Sequence, residues 1–186
     1  MKGEKRVDVP DLLITDTDLD RFLNNLLERT RQFLEEEGKV PVTQTIVLPD
    51  SLDRVDLKEL TSILTVEDRL KLIVAFSFDR RLIEAVFEGY TMGLSVSPEE
   101  KEAIVEETAG DCINLVVGNA LLDFQLPGYA FTVSTPIIIN EGKSIQRYKQ
   151  SHITRGEIVT ERGKMFVLCI TPGIYYKKTL ELEVAE

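Results

Sequence analysis

Residues 97–124, SPEEKEAIVEETAGDCINLVVGNALLDF, constrain the fold more than any other stretch of this chain. Ser97, Pro98, Glu99 and Glu100 make a strong helix start. The hydroxyl can cap, the proline sits where no amide donor is needed, and two acids lie at the positive end of the helix dipole. The run that follows is far longer than an ordinary strand. Its nearly uncharged part, around 112–122, falls short of the roughly 20 residues that cross a bilayer. Ile113, Val116, Val117 and Ala120 recur at intervals of three and one, so one side of this helix has to be buried against another layer. LPGY at 126–129 is expected to end it.

The flanking segments supply that layer. TDTDLDRFLNNLLERTRQFLEEEGK (15–39) opens on capping residues and closes on Gly38, with Leu19, Phe22, Leu23, Leu26, Leu27, Thr30, Phe33 and Leu34 on one face. This is an amphipathic helix. PVTQTIVLP (41–49) is strand-like, and the polar DSLDRVDLKE (50–59) reads as a loop. Residues 60–78 hold two β-rich runs parted by EDR, a hairpin. Residues 79–93 return to helical spacing at Leu82, Ile83, Val86, Phe87 and Tyr90, with Asp79 as the expected N-cap. Strands are expected at 130–139, 152–161, 164–171 and 178–185, with a hairpin turn at ERGK (161–164). Strands that cluster and join through hairpins predict an α+β fold: an antiparallel sheet with one long helix and two further helices packed on it, in a single domain over 1–186.

Charge and cysteine usage narrow the functional classes. The net charge of −10 repels a phosphate backbone, and the basic clusters at 79–81 and 175–178 are too short to offset it, so nucleic acid is excluded as a partner. The N-terminal MKGEKRVDVPDLL has no apolar run after its basic residues and is no secretory signal. Cys112 and Cys169 lack metal-ligand spacing, and His152 is the one histidine, so no metal site is expected. Two buried, reduced thiols in a cytoplasmic protein that does not enter the membrane is the resulting expectation.

Within the long helix, Glu107, Asp111, Asn114 and Gly118 share a stripe about 60° wide. A core face would be filled by Leu and Val, so this stripe is expected to look at solvent or a partner. On composition and spacing alone, the wet side of an amphipathic helix is the commoner source of such a pattern. Gly118 adds a cost, since a glycine inside a helix is about 1 kcal/mol worse than alanine; close approach by a partner would account for it. Asn119 lies about 120° from the stripe and is expected to bond backbone or cap a neighbouring segment. Cys112, about 100° from Asp111, reads as core filler. Pro136 is expected to remove a ladder hydrogen bond and break an edge strand.

GDCINLVVGNAL (110–121) resembles the signature helix of the CheC/CheX family of chemotaxis phosphatases. The family pattern is Asp or Ser, three residues, Glu, two residues, Asn, and a proline some two dozen residues later. The matching positions here are Glu107, Asp111, Asn114 and Pro136. GYAFTVSTPIII (128–139) resembles the family's following strand, 63–89 its hairpin and helix, and 18–34 its first helix. The likeness spans about 18–170; the tail at 172–186 matches nothing.

That resemblance implies a CheX-like phosphatase acting on the aspartyl phosphate of a CheY-type receiver domain. It implies that Asn114 orients the attacking water and Asp111 pairs with a receiver lysine, while Glu107 and Gly118 take part in docking. No cofactor of its own is implied; the Mg²⁺ would be held by the receiver. The single copy of the motif implies a homodimer. Two departures from the pattern are plain. Asp111 stands where the family has Glu, and Glu107 where it has Asp or Ser. A receiver-binding or assembly module without hydrolysis, or a domain that shares only the architecture, therefore remain alternatives.

Overall fold

The computed structural model describes residues 14–48, 52–67, 71–92, 96–123, 131–148, 151–171 and 176–177 of the chain. The element order is β1 (Ile14–Thr15), α1 (Asp16–Glu36), β2 (Val42–Leu48), β3 (Arg54–Asp56), β4 (Leu60–Glu67), β5 (Leu72–Phe78), α2 (Arg80–Tyr90) and α3 (Pro98–Leu122). Then follow β6 (Thr132–Val133), β7 (Ile137–Asn140), β8 (Ser144–Gln146), β9 (His152–Thr160), β10 (Gly163–Thr171) and β11 (Tyr176–Lys177). The main sheet runs β2-β9-β10-β5-β4, and β6 and β7 share the outer edge of β4. Every pairing in it is antiparallel. This is the α+β fold the sequence predicts.

The three helices join one face of the sheet in a single core. Leu19, Phe22, Leu23, Leu26, Leu27 and Leu34 of α1 share it with Val74, Phe76, Phe78, Met165 and Val167 of the central strands. Leu82 and Ile83 of α2, with Ile113, Val116 and Val117 of α3, complete it. Gly156 lets α1 come down on β9, because a side chain there would begin 2.5 Å from Leu27. The opposite face carries a smaller cluster of Val55, Ala75, Ile153 and Leu168, covered by the short β3–β8 pair.

Four sequence expectations need correction. The segment at 50–59 is not all loop: β3 forms there because Val55, 1% exposed, seals the second cluster. Three residues are too few to show a period. Asp79 does occupy the N-cap of α2, yet its side chain makes no cap bond. Its carboxylate accepts instead from Lys58 Nζ at 2.6 Å and Lys164 N at 2.7 Å, a charged pair with a well-placed amide. Helix α1 stops at Glu36, and the residue with left-handed backbone is Lys39 rather than Gly38; the Lys39 ammonium caps the Glu36 carbonyl at 2.6 Å. The strand expected over 130–139 is split. Ser134 pairs with Thr65, donating its amide to the Thr65 carbonyl and accepting the Thr65 amide on its hydroxyl. Pro136 then interrupts the edge before β7, the break its missing N–H predicts. The expected helix end at 126–129 and the strand at 178–185 lie outside the described residues.

Candidate functional site

Helix α3 begins as the sequence requires. Ser97 accepts from the Glu100 amide and donates to the Glu100 carboxylate, with Pro98 at the first position. From there the helix crosses the sheet with Val105, Ala109, Cys112, Ile113, Val116, Val117 and Ala120 all buried. The opposite side faces outward. Glu107, Asp111 and Asn114 are exposed, and Gly118 is half-buried. The stripe therefore looks at solvent, and Cys112 is core, as expected.

Each flank of α3 is fixed by its own neighbour. On one side lies the broken edge strand. Ile138 and Pro136 sit 3.9 and 4.0 Å from where a side chain on Gly110 would begin, and the Asn140 amide donates to the Glu106 carboxylate. On the other side lie α1 and α2. Arg29 makes a bidentate pair with Asp123 at 2.9 and 3.1 Å, and the Asn25 amide donates to the Ala120 carbonyl at 2.9 Å. Arg80 at the start of α2 pairs with Glu102. Ties from three different elements thus hold the helix, so the outward stripe is presented on a rigid element.

Among the described residues, the side chains of Glu107, Asp111 and Asn114 take part in no hydrogen bond or ion pair. Their polar atoms point outward without internal partners. The Asp111 charge is nevertheless felt nearby. Burial pushes the Tyr90 hydroxyl up from its ordinary pKa, and Asp111 and then Glu37 push it further. Burial also pushes the Cys112 thiol up, with Asp111 adding to it. No group of three His, Cys, Asp or Glu side chains able to hold a metal occurs among the described residues. No helix among them is long and apolar enough to cross a membrane.

What this stripe offers is an acid and a carboxamide one turn apart, with no adjacent base or nucleophile among the described residues. The carboxamide can accept one proton and donate another in the same plane, which suits it to holding a water. Nothing in the arrangement resembles a hydrolytic triad.

Two features were missed by reading the sequence. Leu115 is 45% exposed and Leu122 is 58% exposed. They lie about 40° and 20° from Asp111 on the helix wheel, just beyond the Asp111 edge of the polar stripe. The wheel itself carried the signal, but leucines in an apolar run are naturally assigned to the core. Asn119 also differs from expectation: it is exposed, bonds nothing among the described residues, and lines a groove between α1, α2 and α3.

Comparison with known proteins points the same way. The family model described as "Chemotaxis phosphatase CheX" matches residues 60–157, just over half of the 186-residue chain. No curated protein sequence gives a significant match. Among solved structures, a chemotaxis protein CheX from Desulfovibrio desulfuricans superposes with a TM-score of 0.66 at 14% identity, covering 81% of this chain and 99% of that one. The CheX of Borrelia burgdorferi, solved in complex with CheY, BeF₃ and Mg²⁺, gives 0.60 at 14% identity over 81% and 96%. FliY of Thermotoga maritima gives 0.54 at 15% identity over 91% and 94%. The fold is that of CheX/CheC-type proteins. With its family model matched over the hairpin, α2, α3 and the edge strand, this chain belongs to the CheX family of chemotaxis phosphatases.

Proposed function

We propose that this protein is a cytoplasmic phosphatase that hydrolyses the aspartyl phosphate of a CheY-type response regulator in chemotaxis signalling. The observation that carries the proposal is an exposed, unengaged Asn114 one turn from Asp111 on a rigid helix in a CheX-family chain. Helix α3 approaches the receiver's phosphorylated site with its stripe foremost. Asn114 holds a water in line with phosphorus, and Asp111 pairs with a receiver lysine. Glu107 and Gly118 border the contact.

The chemistry asks for little more. An acyl phosphate has a good leaving group, and the receiver's own lysine and Mg²⁺ neutralise the transferring phosphoryl. What the phosphatase supplies is the orientation of water, a positional contribution. The bond formed is water oxygen to phosphorus; the bond broken is phosphorus to the aspartyl oxygen, which leaves as a carboxylate.

Asp111 is about 1.5 Å shorter than the family's Glu. Stretching an ion pair from about 3 to about 4.5 Å at an effective dielectric near 20 loses roughly 2 kcal/mol. Screening at an exposed site reduces this to about 1 kcal/mol, about fivefold in affinity. Docking is weakened and the amide remains competent. Comparing phosphate release with wild type and Asn114→Ala tests the proposal; equal rates in a folded variant would reject it.

The shortened acid favours one second reading, a receiver-binding module without useful hydrolysis. Binding to a phosphorylated receiver with no acceleration of phosphate loss would select it. Either reading includes a homodimer, which light scattering would find as twice the 21.1 kDa chain mass.

A further inference from the structure

Past Asn114, α3 presents a surface that the phosphatase chemistry does not use. Leu115 and Leu122 stand 45% and 58% exposed, with Gly118 between them on the same side of the helix. Single exposed leucines are ordinary on protein surfaces. Here the two flank a mid-helix glycine that has no internal reason to be one: a side chain at Gly118 would meet nothing within 4 Å. The fold therefore carries the helix penalty of glycine without a packing return. Beside Leu115 lies a groove of about 380 Å³ between the helices, lined by Phe33, Glu37, Tyr90 and Asn119 among others. Its rim is acidic. Glu36 and Glu37 are exposed, while Arg29, the cation within it, is already neutralised by Asp123.

We propose that Leu115, Gly118 and Leu122, with the groove beside them, form the seat that holds the receiver domain, so that Asp111 and Asn114 are left to the phosphoryl site. The inference rests on the phosphatase reading for the identity of the occupant. The seat fits an apolar receiver surface lying along the two leucines, its backbone brought close over Gly118. A lysine or arginine of that surface enters the groove and faces Glu36 and Glu37, matching the acidic charge that runs on through Asp111 and Glu107. Affinity carried by buried leucines rather than by one ion pair explains how the shortened Asp111 is tolerated.

The test is a titration of CheY-type receivers from the source organism, each loaded with BeF₃ and Mg²⁺, against wild type and variants. Because this loaded receiver does not turn over, the result stands apart from the role of Asn114. The double variant Leu115→Gln/Leu122→Gln and the single variant Gly118→Gln are expected to raise Kd about tenfold or more. Their melting temperatures stay near wild type, since Leu115 and Leu122 are exposed and a side chain at Gly118 would meet nothing within 4 Å. Gly118→Ala is expected to melt at the same or higher temperature while binding more weakly, a pair of changes that a purely structural glycine would not give. A Kd unchanged within about twofold for the leucine and Gly118→Gln variants would overturn the seat while leaving the phosphatase reading intact. So would a double variant that dissociates a dimer without altering receiver affinity, which would make these leucines a self-interface. Failure of wild type to bind any loaded receiver would overturn both.

Discussion

Pro136 lies over Gly110: a side chain added at Gly110 would begin 4.0 Å from the proline ring. Gly110 immediately precedes Asp111, so the break in the edge strand lies beside the helix at its proposed site. The proline's missing N–H ends one strand, and its ring lies next to the helix layer. The two residues, 26 positions apart in sequence, are thereby neighbours in space.

A methyl group added at Gly110 would meet its neighbours at ordinary van der Waals distance, so it fits. Gly110→Ala should stabilise the protein by up to about 1 kcal/mol through helix propensity. Thermal or urea unfolding measures this. Gly110→Leu should instead press on Pro136 and Ile138 and lower stability by about 1–3 kcal/mol, the usual cost of overpacking.

Restoring the family's longer acid is a direct test of reach. Asp111→Glu should raise receiver affinity about fivefold, the ~1 kcal/mol lost on shortening. Asp111→Asn should lower it. Kd for a loaded receiver, measured at two salt concentrations, would show the charge contribution shrinking at the higher one.

Cys112 and Cys169 are both fully buried and their thiols are held up by desolvation, Cys112 also by Asp111. Both should resist an aromatic disulfide reagent in the native protein and react at once in denaturant. Rapid labelling of Cys112 in the native state would mean that α3 does not lie on the sheet as described.

The tie between α1 and α3 predicts an acid dependence. The Arg29 guanidinium, and after it the Asn25 amide, hold the Asp123 carboxyl below the usual carboxylate range. A depressed folded pKa contributes stability above the unfolded value, near 4, and that contribution is lost as pH falls through the folded one. Arg80 similarly lowers Glu102, and Arg31 lowers Glu28. The melting temperature of Arg29→Gln should therefore lie below wild type at pH 7 and converge on it at strongly acid pH.

Much of this architecture is legible because it follows from periodicity. The inward positions named for α1, from Leu19 to Leu34, are all buried, and the hairpin of β4 and β5 falls where EDR parts two β-rich runs. Pro136 breaks its strand for a covalent reason that sequence states outright. The missed features depend on tertiary partners instead. β3 exists because Val55 has a cluster to seal, and Asp79 abandons its cap because Lys58 and Lys164 are brought beside it by the sheet. At the site, the outward stripe was readable, and the two leucines beside it were signalled only by their place on the wheel. Leu115 sits in an apolar run, and its 45% exposure follows from its place near the outward side of α3, beside a groove, rather than from its residue type.

Phosphate release from phosphorylated CheY-type receivers, followed with wild type and Asn114→Ala side by side, is the most direct measurement. Wild type should accelerate release, and the variant should lose about 10²-fold or more of that acceleration while still binding the loaded receiver, as expected for removal of a water-positioning group. Equal acceleration by a folded Asn114→Ala protein would contradict an amide-positioned hydrolysis.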